Sequence, residues 1–108
     1  KIVRPFLGIR YMPITESLQQ ENNLPYSYGI LIIRGEQITD LAVVPGSPAD
    51  TAGLRENDII LEIDGQKLDN STSLARIIQR KVPGDTVTLN VYSQGEEKEV
   101  EVTLQEQE

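Results

Sequence analysis

Val44-Pro45-Gly46-Ser47-Pro48-Ala49-Asp50-Thr51-Ala52-Gly53-Leu54 writes out a turn, a helix start and a helix stop in one short run. Ser47 is placed to cap a helix, because its hydroxyl accepts from the free N–H groups of the first turn. Pro48 takes the first helical position, where a missing N–H costs nothing, and Asp50 completes a Ser-x-x-Asp form of the capping box. Gly53 supplies the left-handed stop that so short a helix needs. The same pattern removes Ser47 as a nucleophile. Pro48 follows it and Ala49 stands where a hydrolase elbow has glycine.

Working outward, Ile59-Ile60-Leu61-Glu62-Ile63 reads as the next strand and Asp64-Gly65 as a tight hairpin signal. Leu74, Ile77, Ile78 and Val82 recur at helical period, which predicts a helix from about Ser71 to Lys81, stopped by Pro83-Gly84. Val87, Leu89 and Val91, then Val100, Val102 and Leu104, alternate as two strands joined near Gln94-Gly95. Toward the start, Phe6 to Met12 reads as a first strand ended by Pro13. Thr15 is placed to cap a short helix through about Asn23. Tyr28-Gly29 leads into Ile30 to Ile33, a central strand. Arg34 to Thr39 reads as a turn excursion before a strand resumes at Asp40 to Val44. The sum is a strand-rich α+β domain, a partly closed antiparallel barrel or sandwich of about five to six strands with two principal helices.

At 108 residues the chain holds one domain. Residues 5–104 are expected to form its core and 105–108 a flexible tail. Its 38 % hydrophobic and 25 % charged residues are those of an ordered globular chain rather than a disordered one. No apolar run approaches the ~18 residues that cross a bilayer, so direct membrane insertion is not expected. Lys1 opens directly into strand-like sequence, the pattern expected of an excised or mature segment. A net charge of −7 argues against nucleic acid, which needs a basic face. Glu96, Glu97, Glu99, Glu101, Glu106 and Glu108 crowd the last hairpin and tail, reading as a solvated edge that resists aggregation.

The chain has neither histidine nor cysteine, which excludes a serine–histidine couple and any imidazole or thiolate metal site. Asp58 and Asp64 lie where turns select aspartate, so they read as turn formers rather than an acid–base pair. Neither a catalytic residue, a metal nor a cofactor is expected. Binding chemistry is better supported. In Arg4-Pro5-Phe6-Leu7-Gly8-Ile9 the bare Gly8 would let the N–H groups of Leu7, Gly8 and Ile9 face one concavity, a nest suited to a carboxylate. Beside it, the edge Ile9 to Met12 could accept an added strand. The local alternative is that Phe6 and Leu7 are core residues and Gly8 marks a bulge.

The order of the pieces resembles a PDZ domain over nearly the whole length, and more closely the PDZ domains of bacterial HtrA-type (DegP/DegS-like) serine proteases. The resemblance rests on Arg4 to Ile9, Val43 to Ala49, Ala52-Gly53-Leu54, Asn57-Asp58-Ile59-Ile60, Ile63-Asp64-Gly65 and Val82-Pro83-Gly84-Asp85. It implies a peptide-binding module that regulates, or tethers substrate for, a trypsin-like protease domain of the same parent chain, outside the cytoplasm in the periplasm or cell envelope. A C-terminal peptide with an apolar last residue would add to the first strand along Arg10, Tyr11 and Met12. Its carboxylate would sit on Leu7, Gly8 and Ile9, with Arg4 as a nearby positive charge. Phe6 or Leu7, Ile9 and the helix would line the end pocket, with Ser71, Ala75 and Ile78 along the groove. The isolated domain would be a monomer. Related PDZ domains in site-2-type metalloproteases, C-terminal-processing proteases or non-proteolytic scaffolds are the alternatives. The excursion from Arg34 to Asp40 is longer than the family's simple strand.

Overall fold

The apolar run from Ile59 to Ile63 becomes β4 (Ile59–Ile63), the strand around which the others assemble. A computed structural model describes residues 4–69 and 71–107; the side chains of Arg4 and Gln107 lie outside that description, as do Lys1 and Glu108. On β4, Ile59 and Leu61 pack into one apolar cluster while Ile60 and Ile63 pack into another. Strict alternation would put Ile63 with Ile59 and Leu61. The register against β6 (Thr86–Ser93) shifts between Ile60 and Glu62, which makes Leu61 an extra residue and reverses the phase. Both faces of the strand are therefore covered, and its sequence reads as a continuous apolar run.

β3 (Ile30–Ile32) pairs with β4 on its other side, β2 (Tyr11–Pro13) lies outside β3, and β7 (Glu96–Thr103) lies outside β6. β5 (Gln66–Lys67) returns against β4 through Asp64-Gly65, whose φ values of 50° and 80° are those of the predicted tight turn. β1 (Arg4–Phe6) and β8 (Gln105–Gln107) form a separate antiparallel pair. The helices are α1 (Glu16–Asn22), α2 (Pro48–Thr51) and α3 (Leu74–Gln79). The larger core lies between the sheet and α2 and α3; the smaller one gathers Leu18 of α1 with Tyr26, Tyr28 and Tyr92.

The strand-rich α+β class is as expected, with eight strands and three helices among the described residues, and the sheets do not close into a barrel. Several boundaries differ from expectation. The first strand, expected from Phe6 to Met12, is split, because Leu7 and Gly8 turn their carbonyls toward the 44–49 segment instead of a sheet neighbour. Pro13 does not end it from outside but is the last residue of β2, on a sheet edge where its missing N–H costs nothing. The strand expected from Asp40 to Val44 is reduced to one bridge, Ile9 with Val43, since no longer partner runs beside it. The helix expected from Ser71 to Lys81 starts after Ser73, whose Oγ accepts from Arg76 N–H; the carboxylate of Asp69 holds Ser71 in a turn outside it. Val82, counted on the apolar stripe, is 60 % exposed beyond the helix end. The tail expected to be loose pairs through residues 105–107 with β1.

Candidate functional site

The capping stretch forms as the sequence dictates, with one change. Ser47 Oγ accepts from Asp50 N–H at 3.2 Å, but the Asp50 carboxylate reaches back to the Gly46 N–H at 2.8 Å rather than to Ser47. The first residues of α2 then act on a remote loop. Ala49 N–H donates to the Leu7 carbonyl and Val44 N–H to the Gly8 carbonyl, each at 2.9 Å. A trans peptide plane points a carbonyl and the following N–H in opposite directions. These two bonds therefore turn the N–H groups of Gly8 and Ile9 away from α2. Among the described residues the N–H groups of Leu7, Gly8 and Ile9 meet no acceptor. Gly8 is the joint, at φ +94°, and any Cβ there would collide with the Ser47 side chain.

The free N–H groups continue into a free strand edge. Arg10 donates to Ala42 and accepts from Ile33, and Ile14 donates to Gly29. Alternation along an antiparallel ladder then turns the N–H and C=O of Ile9 and Tyr11 to the opposite side. β2 is the edge strand of its sheet, so that side has no strand beside it.

Across from this edge stands α3. Phe6, Leu7, Ile9, Ala75 and Ile78 line an open chamber of about 420 Å³ against the loop. Ala75 is exposed and contributes only a methyl, while Ile78 is 8 % exposed and serves both core and chamber. No residue of β8 lines this chamber. A second chamber of about 400 Å³ continues past Tyr11 and Leu74, which border both. Burial pushes the Tyr11 phenol above its ordinary value of 10.0, and the Ala75 backbone N–H pulls in the other direction. Tyr11 of β2 and Ala75 of the first turn of α3 both line the first chamber.

Phe6, Leu7, Gly8, Ile9, Arg10, Tyr11, Ala75 and Ile78 are thus brought together. Met12, 37 % exposed, lines neither chamber, and Ser71 lines the second rather than the first. Arg10 also pairs with Asp40 at 3.4 Å, which ties the long excursion to β2. The Arg4 side chain lies outside the described residues. Pro5, Val44 and Gln79 line the first chamber without having been expected there. Pro5 and Gln79 adjoin Phe6 and Ile78 in the chain, and Val44 is brought in by its bond to the Gly8 carbonyl. Asp58 and Asp64 are engaged separately, Asp58 by Arg55 N–H and Ser93 Oγ, Asp64 by Thr88 N–H and Lys81 Nζ, as turn formers rather than a pair.

A family model described as PDZ domain matches residues 5–104. The chain belongs to the PDZ domain family. As a PDZ domain it is not itself a catalyst. In sequence it is 37 % identical over 103 residues to a probable periplasmic serine endoprotease DegP-like of Halomonas elongata, covering 95 % of this chain and 20 % of that protein. A protein of the same name from Chlamydia trachomatis is 35 % identical over 104 residues, covering 96 % and 19 %. The PDZ domain therefore spans about a fifth of the length of these relatives. Among solved structures it resembles the HtrA3 PDZ domain bound to a phage-derived ligand, FGRWV, with TM-score 0.76 and 25 % identity, covering 98 % of this chain and 89 % of that one. It shares its fold with the HtrA-type protease AlgW bound to a decapeptide, with TM-score 0.76 and 23 % identity over 98 % of this chain and 30 % of that one.

Proposed function

We propose that this PDZ domain binds the C-termini of other polypeptides that end in an apolar residue. In this reading the peptide adds antiparallel to the free edge of Ile9 and Tyr11, with its carboxylate on the N–H groups of Leu7, Gly8 and Ile9. Its last side chain enters the chamber of Phe6, Leu7, Ile9, Ala75 and Ile78. The observation that carries the proposal is that Leu7, Gly8 and Ile9, whose N–H groups have no acceptor among the described residues, line one apolar chamber. A carboxylate is the ligand that takes several converging donors at once, and such charge-assisted bonds are stronger than neutral ones. The apolar chamber beside them selects a hydrophobic end residue, and the small Ala75 leaves room for Val, Leu or Phe.

The DegP-like relatives and the HtrA structures favour an HtrA-type serine protease as the parent, with the domain regulating it or tethering its substrates in the periplasm. Affinity should be modest, around 1 μM or weaker (about −8 kcal/mol), because a short peptide loses its conformational freedom on binding. Titration of Val-ending peptides against their C-terminally amidated twins tests the site. Amidation is expected to weaken binding strongly; equal affinity for both forms would remove the carboxylate from the interaction.

A further inference from the structure

The six-stranded sheet has two outer strands, β2 on one side and β7 on the other. β7 is the longer, eight residues against three, and among the described residues no strand lies outside it. The bonds of Thr88 show which backbone groups of β7 are open. Thr88 N–H donates to Asp64 Oδ1 and its carbonyl accepts from Asp64 N–H, so both point away from β7. Thr88 and Glu101 are therefore a non-hydrogen-bonded pair, and such pairs recur at every second residue of the ladder. Glu97, Glu99, Glu101 and Thr103 thus turn their N–H and C=O groups outward, to the open edge. Leu104 N–H, which donates to the Asp85 carbonyl, fixes the same phase.

Those residues also carry their side chains on the solvent face, since Val102 among them is buried and side chains alternate. The carboxylates of Glu97, Glu99 and Glu101 stand in a row, and none pairs with a cation among the described residues. At the Val102 end a cleft of about 250 Å³ separates the edge from α2, with Pro48, Thr51 and Ala52 on one side and Glu101, Val102 and Thr103 on the other. Laid against β7 of a second copy, this edge would set one row of glutamates against another, which like charges oppose. A basic strand meets no such bar. In an antiparallel added strand, the residues facing Glu97, Glu99 and Glu101 exchange backbone bonds with them and share their face, which calls for Arg or Lys at alternate positions. The residue opposite Val102 enters the cleft beside α2, where a short apolar side chain fits.

We propose that β7 is a second strand-addition edge, which takes an extended basic segment of another polypeptide with the pattern Val-Arg-x-Arg-x-Arg. The pairing uses no terminal carboxylate. Glu97, Glu99, Glu101 and Thr103 line no part of the chamber at Leu7 to Ile9, so the two edges are independent. The charges that keep copies of this edge apart are the ones that select its partner.

The experiment titrates the isotope-labelled domain, followed by its amide NMR signals, with Val-Arg-Thr-Arg-Thr-Arg acetylated at one end and amidated at the other. The signals of Glu97, Glu99, Glu101 and Thr103 are expected to shift, while those of Leu7, Gly8 and Ile9 stay in place. The blocked peptide Thr-Thr-Val-Arg-Arg-Arg, of equal composition and charge, should bind about tenfold more weakly, the difference that a few cross-strand charge pairs make. N-methylation of the central arginine keeps its charge, removes one ladder N–H and should weaken binding as well. Glu99→Lys, shown by its melting curve to be folded, should abolish it. Equal affinity of the two peptides, or indifference to N-methylation, would reduce the contact to charge alone and overturn the added strand. Unaltered binding to folded Glu99→Lys, or shifts confined to Leu7 to Ile9, would overturn the edge itself. Shifts of β7 that grow with protein concentration in the absence of peptide would give the edge to a second copy and overturn the basic partner.

Discussion

The stretch from Val44 to Leu54 and the loop from Phe6 to Ile9 make an instructive pair. The first is held by bonds between near neighbours: Ser47 to Asp50, Asp50 to Gly46, Gly53 to Asp50 and Leu54 to Ala49. The second has no such local support; its two carbonyls are fixed by Ala49 and Val44. A self-contained turn therefore serves as the template on which a loop without local instructions is shaped. The signature stretch and the loop, separate in sequence, are two sides of one contact.

Breaking that contact should produce the largest effect. Gly8→Val places a branched side chain at φ +94° against Ser47. It should cost about 3 kcal/mol or more and abolish binding of carboxylate peptides, as read by thermal melting and titration. Ser47→Ala removes the cap but keeps the contact. It should cost about 1 kcal/mol, with a smaller, few-fold loss of peptide affinity as the Ala49 N–H loses its fixed position. A melting loss with unchanged affinity would separate turn from loop and contradict the template relation.

Asp64→Asn tests a site away from both regions. Its carboxyl is held below the ordinary 3.8, first by the Thr88 N–H and then by Lys81 at the end of α3. A lowered folded pKa means that the stabilisation is present above the unfolded value and is lost as pH falls through the folded one. The variant should melt lower than the parent at pH 7, and the gap should close in acid, below 3.8. A gap independent of pH would show that the carboxylate charge is not its origin. The smallest effect belongs to Arg34→Ala. Its pairing with Glu56 is well formed at 2.9 Å, but the side chain is 64 % exposed, and exposed pairs contribute little. Melting and peptide affinity should both match the parent within error.

What the sequence made legible follows the same division. The caps at Thr15 and Ser47, the apolar alternation at Val87, Leu89 and Val91, and the turn at Asp64-Gly65 depend on residues a few positions apart. The break in the first strand does not, because Leu7 and Gly8 look like ordinary strand residues until Ala49 and Val44 claim their carbonyls. The start of α3 is hidden for a related reason. Ser71 and Ser73 are both plausible caps, and the choice falls to Asp69, which engages Ser71 first. For Phe6 to Ile9, local pattern leaves bulge and nest equally open, because the carbonyl partners that shape the loop lie some forty residues away. Leu7 is a core residue, 6 % exposed, that also lines the first chamber.

The pairing of Phe6 with Gln105 has a practical edge. Among the described residues Leu104 is the last buried side chain, and the family match also ends there. A chain cut at that point would keep its hydrophobic interior whole and lose β8, the one strand among the described residues that flanks β1, immediately before the loop from Leu7 to Ile9. The end of the hydrophobic interior and the end of the support for that loop are thus different places, and they differ by one short strand.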